Sequence, residues 1–225
     1  MKINCSKKDL RDFSLMLCIP ISLYIFTLIQ RNSTFTYSLV TDIDRNIPFL
    51  KIFILPYISW YGFVWIVPVY FYFKDRKIYY STLITYTITV SICCIIYSVF
   101  QTEVPRPELI GNDVLTNIIN VIYSNDKPVN CFPSIHVLSS FIMIKAVSQS
   151  KKKNIFNSLV IVTLGTLIIM STQFVKQHVI LDLIFAILLG NIVFNIVNNF
   201  SRESFTEWKK RIFSLLMMKK KSEIW

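Results

Sequence analysis

Between two long apolar runs the chain reads Ser171-Thr172-Gln173-Phe174-Val175-Lys176-Gln177-His178-Val179-Ile180-Leu181-Asp182. The run before it, 155–173, and the run after it, 179–197, are each close to the ~20 residues that carry a helix across a hydrocarbon layer. A polar turn this short between two such runs forces a helical hairpin whose tip lies at a membrane surface. The tip carries Lys176 and His178, and Asp182 follows four residues after the histidine. On one helix that spacing puts carboxylate and imidazole on the same face.

Four further apolar segments precede the hairpin, at 13–29, 52–73, 80–100 and 137–147. The expected fold is therefore all-α: one polytopic domain over 1–225, a six-helix transmembrane bundle with basic cytoplasmic tails at 1–12 and 199–225. The composition agrees, with 53% hydrophobic residues and only 4 glycines in 225 residues. The first segment follows a basic N-terminus without a small-residue cleavage site, so it reads as a retained helix rather than a cleaved signal peptide. The second contains Pro56 and Pro68 and many aromatic residues, as a kinked helix with interfacial anchors does. The fourth is short unless residues 134–136 begin the helix and Lys145 reaches the far interface along its own stem.

A net charge of +11 raises the possibility of nucleic acid, but the basic residues are dealt out between apolar spans rather than gathered in one patch. They are also dealt unevenly. With a cytoplasmic N-terminus, only Arg31, Arg45, Lys51, Arg106, Lys127 and Lys176 of the 24 Lys and Arg fall on the outer side. That bias orients the chain with both termini cytoplasmic and both histidines outside, in a cell membrane. The C-terminal basic run then fixes topology and meets anionic headgroups. Five scattered cysteines suggest neither a disulfide framework nor a zinc site.

The only two histidines occur in stretches that meet the outer interface. Asn130-Cys131-Phe132-Pro133-Ser134-Ile135-His136 starts a helix, with Ser134 as N-cap and His136 in the first turn, where free N–H groups favour a phosphate. Arg106, between Pro105 and Pro107, is held in a stiff extended segment, and its planar fork suits a phosphoryl group. Lys176 can add a second positive charge. A zinc site built from His136, His178 and Asp182 is disfavoured by these cations, so neither metal nor cofactor is expected. Each residue alone also fits a plain interfacial role.

Taken in order, Pro105-Arg106-Pro107, Pro133-Ser134-Ile135-His136 and Ser171 through His178 to Asp182 resemble the type 2 phosphatidic acid phosphatase superfamily. The likeness is greatest to bacterial membrane phosphatases and inositolphosphotransferase-like enzymes. Asp44-Arg45-Asn46-Ile47-Pro48-Phe49 and Tyr57-Ile58-Ser59-Trp60-Tyr61 add to it. The resemblance implies metal-independent chemistry through a phosphohistidine at His178, with Asp182 orienting it and His136 protonating the leaving oxygen. Arg106, Ser134 and Ser171 would contact the phosphoryl group. Two of the family's cations are missing, since Val99 and Thr172 stand where it commonly has lysine and arginine; Lys176, Gln101 or Thr102 are the candidate substitutes. The implied function is hydrolysis of a lipid-linked phosphate monoester or diphosphate. The alternatives are transfer of a phospho-head group to an alcohol lipid, or a non-catalytic membrane protein that has kept the fold.

Overall fold

The computed structural model describes residues 7–31 and 36–200, so most of the C-terminal basic run lies outside the described residues. The chain is almost wholly helical. The helices are α1 (Lys7–Ser14), α2 (Cys18–Arg31), α3 (Asp42–Asn46), α4 (Ile54–Lys74), α5 (Arg76–Val99), α6 (Val114–Asn125), α7 (Ile135–Gln149), α8 (Ile155–Phe174) and α9 (Ile180–Phe200). Strands β1 (Tyr37–Ser38) and β2 (Thr102–Glu103) pair in parallel.

Five helical segments are long and apolar enough to cross a membrane: Asp9–Arg31, Lys51–Lys74, Arg76–Val99, Ile155–Phe174 and Ile180–Phe200. The chain is thus an all-α, multi-pass membrane protein. α7 is shorter: at 15 residues and 1.5 Å each it measures about 22 Å, less than the hydrocarbon thickness of ~30 Å. Its position explains why it can be short and apolar on every side. It packs against α4, α5, α8 and α9, so protein rather than lipid surrounds it.

Glycines set two of these crossings. A Cβ on Gly165 of α8 would lie 2.9 Å from Ile144 of α7, and one on Gly190 of α9 would lie 3.1 Å from Phe141. Close approach through small residues is how helices associate where lipid removes the hydrophobic drive between them.

Local chemistry differs from the sequence expectation in three places. Residues 7–12 belong to the first helix rather than to a tail: Asp9 and Asp12 pair with Arg76, at 2.5 and 3.1 Å, which ties that helix to the start of α5. Lys145 does not reach away along the lipid, because its ammonium donates to Asn191 Oδ1 of α9 at 2.9 Å. The third difference is α6, which the apolar-run reading passes over. Leu115, Ile118, Ile119, Ile122 and Tyr123 recur at helical spacing and pack on Ile54, Tyr57 and Val175. Asp113 caps α6, accepting from Thr116 N–H at 3.0 Å, and Lys51 holds Asp113 at 3.0 Å. Tyr123 of this helix donates to the Val175 carbonyl at 2.7 Å, at the end of the bundle that carries the histidines.

Candidate active site

The 175–179 turn is built before it is functional. Thr172 C=O accepts from both Gln177 N–H and His178 N–H, at 3.0 and 3.1 Å, so the chain doubles back tightly after α8. His178 consequently precedes α9 instead of lying on it, which corrects the shared-face expectation. The contact with Asp182 arises by capping. Asp182, three residues after Val179, reaches back so that its Oδ2 accepts from Val179 N–H at 3.0 Å, while Asp44 Oδ1 accepts from Ile180 N–H at 2.7 Å. The same Oδ2 lies 3.2 Å from His178 Nδ1.

His178 Nδ1 also lies 3.1 Å from the carbonyl oxygen of Cys131. Both neighbours are acceptors, so Nδ1 carries the proton and Nε2 keeps its lone pair. No described residue bonds Nε2. Asp182 is fully buried, and its Oδ1 has no hydrogen-bond partner. A nucleophilic histidine needs this arrangement: a fixed tautomer, a buried carboxylate behind it, and an open front.

His136 faces His178 with ring centroids 5.9 Å apart. It is clamped by aromatic rings, stacked on Tyr57 at 4.8 Å and tilted against Trp60 at 4.2 Å, one turn in from the start of α4. Its Nε2 is buried without a partner. Ser134 is the N-cap of α7, accepting from Val137 N–H at 3.2 Å; the N–H groups of Ile135 and His136 are then the first-turn donors without an intrahelical acceptor. The loop before α7 is organised by Thr102, whose hydroxyl accepts from Cys131 N–H and Phe132 N–H, at 3.1 and 2.9 Å. Tyr97 donates to the Pro133 carbonyl. Burial pushes the Cys131 thiol well above its ordinary range, so it stays protonated and is no rival nucleophile.

Two cavities meet at His178. One, of about 210 Å³, is lined by His136, Asn130, Gln177, Asp126, Trp60 and, from α2, Leu23 and Phe26. The other, of about 320 Å³, is lined by Arg45, Arg106, Lys176 and Asp44. Arg45, Arg106 and Lys176 lie in the second cavity, and His136 and Lys127 in the first.

Arg106 is more committed than its sequence context suggested. Its Nη atoms donate to the carbonyls of Tyr123 and Asp126 at the end of α6, at 2.9 and 2.6 Å, and to Gln177 Oε1 at 2.5 Å. The guanidinium lies 4.1 Å over the Tyr123 ring, and only Nε lacks a partner. Burial lowers its pKa from the ordinary arginine range. Lys176, in a left-handed conformation, donates to the Asp44 and Ile47 carbonyls at 2.8 and 2.5 Å; burial lowers its pKa too. Ser171 is not brought to either cavity, because it is fully buried and its hydroxyl donates to Ile168 C=O in its own helix, at 2.6 Å. Val99 is 79% exposed and Thr172 fully buried, so neither position presents a hydrogen-bonding group to the cavities.

Asn130, Gln177, Asp44 and Tyr57 form this site although no role was read for them in the sequence. Asn130 and Gln177 were within the quoted stretches, and a polar amide directly before His178 and another six residues before His136 were the available signal. Among the described residues no group of three His, Cys, Asp or Glu side chains converges as metal ligands. Compared with protein-family models, with curated proteins and with solved structures, the chain matches none.

Proposed function

We propose that this membrane protein is a phosphohydrolase of the type 2 phosphatidic acid phosphatase kind. On this reading α7 completes a six-helix core, and the chain cleaves a lipid-linked phosphate monoester or diphosphate at the outer membrane face. The observation that carries the reading is His178. Its Nδ1–H is held by Asp182 and the Cys131 carbonyl, its Nε2 is unbonded, and His136 stands opposite.

In the first half-reaction His178 Nε2 attacks phosphorus. The phosphorus–oxygen ester bond breaks, and the leaving oxygen takes a proton from His136, which is charged while the anionic phosphate lies beside it. Asp182 stabilises the positive charge that develops on His178. In the second half, neutral His136 takes a proton from water as its oxygen bonds to phosphorus and the phosphorus–nitrogen bond breaks. Spread charge on the transferring group calls for fixed donors and cations. Here these are the first-turn N–H groups of α7 and the positive field of Arg106 and Lys176, whose donors are mostly turned to carbonyls. The excess of basic residues on the opposite face supports an outward-facing site.

A transferase differs only in admitting an alcohol in place of water beside His136, and the apolar wall of the smaller cavity at Leu23 and Phe26 gives such a lipid a place. The test is phosphate release by the purified protein in detergent with a chelator present, from phosphatidic acid, phosphatidylglycerol phosphate and a polyprenyl diphosphate. Release that survives the chelator and vanishes in His178→Ala supports the reading. Equal release by the variant overturns it, and a phosphorylated product on adding an alcohol lipid identifies the transferase.

A further inference from the structure

The smaller cavity contains an unexplained concentration of unpaired polar atoms. Asn130 is 2% exposed, yet neither its Nδ2 nor its Oδ1 has a partner; Gln177 is 3% exposed, and its Nε2 has none. Carboxamides buried this deeply are nearly always hydrogen-bonded in proteins, and both of these line the cavity. Asn130 sits at φ 61°, in the left-handed region, and Gln177 is held by its Oε1, which accepts from Arg106 at 2.5 Å and leaves the donor end unpaired.

The phosphohistidine reading, on which this inference rests, says what occupies the space. In a double displacement at phosphorus the leaving oxygen and the later incoming oxygen take the same position, opposite His178 Nε2 and beside His136. His136 lines only the smaller cavity, so the alcohol part of the substrate lies there. Beyond the carboxamides the wall becomes apolar, at Leu23 and Phe26 of α2, which directs a hydrocarbon tail toward the bilayer. The Asp126 carboxylate, fixed by Gln30 at 3.2 Å and Tyr57 at 3.3 Å, lines this cavity together with Lys127.

We propose that Asn130 and Gln177 form a specificity subsite for the alcohol moiety. It selects lipid alcohols with a hydroxyl, ester or amide a few atoms from the reacting oxygen, over alcohols that are hydrocarbon throughout. A site built to hydrogen-bond its ligand rejects an analogue lacking the partner groups, because its own buried groups are then left unpaired.

The test compares kcat/KM on dioctanoylglycerol phosphate and on farnesyl phosphate, for the wild type and for Asn130→Gly, which keeps the left-handed backbone and removes the carboxamide. The expected wild-type preference for the glycerol-based substrate is about 100-fold, falling by about tenfold or more in the variant. No preference, or a preference retained by the variant, overturns the proposal. Binding of the free alcohols, dioctanoylglycerol against farnesol, read by tryptophan fluorescence with Trp60 in the cavity wall, tests the subsite without catalysis. If neither phosphate is hydrolysed, the phosphatase reading fails. The subsite then stands only if dioctanoylglycerol binds at least tenfold tighter than farnesol and Asn130→Gly removes the difference; equal binding overturns it.

Discussion

Replacing Asp182 by asparagine separates the two roles that the structure gives this one carboxylate. Oδ2 accepts from Val179 N–H, a capping role that an amide oxygen can keep, and from His178 Nδ1, where charge matters. The amide nitrogen would take the place of Oδ1, which has no partner to lose. At 3.2 Å and an effective dielectric constant of about 20, a carboxylate supports an imidazolium by roughly 5 kcal/mol. A neutral hydrogen bond keeps part of that. A net loss of about 4 kcal/mol slows formation of the phosphohistidine by about three orders of magnitude, at 1.36 kcal/mol per tenfold. The folded state loses only the charge at the start of α9, about 1 kcal/mol or less. The assay is single-turnover labelling of His178 with a radiolabelled lipid phosphate, beside a detergent melting curve. A labelling rate within tenfold of wild type in a well-folded Asp182→Asn protein would refute the reasoning and leave Asp182 as a helix cap.

Other consequences follow from single contacts. Gly165→Leu drives a side chain into Ile144 and Phe63, so the packing of α8 on α7 and α4 must open; the variant should lose several kcal/mol and melt markedly earlier in detergent. Arg106→Lys keeps the charge but has no planar fork to join two carbonyls and Gln177. It should lower activity at least tenfold, and a wild-type rate would show that charge alone suffices there. Asp113 is held well below the usual carboxylate range, chiefly by hydrogen bonds from the Thr116 hydroxyl and N–H and from Lys51. Because its folded pKa is depressed, its contribution is complete above the ordinary carboxylate value and is lost as pH falls below it. Asp113→Ala should therefore flatten the acid limb of a stability–pH curve.

The helices were legible in the sequence because a bilayer leaves an apolar run of ~20 residues little choice but to satisfy its backbone internally. The hairpin at 174–180 and the N-cap at Ser134 were equally local: a short polar turn and a Pro-Ser pair carry their geometry with them. The α6 pattern was also present, at 115, 118, 119, 122 and 123, but a search for membrane-length runs does not register a 12-residue interfacial helix.

What only the tertiary structure decided was who partners whom across the bundle mouth. Lys176 and Arg106 read as free cations in the sequence. Yet the acceptors that hold Lys176 belong to Asp44 and Ile47, about 130 positions away, and those that hold Arg106 come from the end of α6 and from the hairpin. The same holds for His178. Its tautomer depends on the Cys131 carbonyl, and that oxygen is placed by Thr102 binding the next loop. Periodicity and caps act over one or two turns, so they specify helices and their ends. A buried polar atom must find its partner wherever packing brings one, and this chain's loops had to meet before their chemistry was determined.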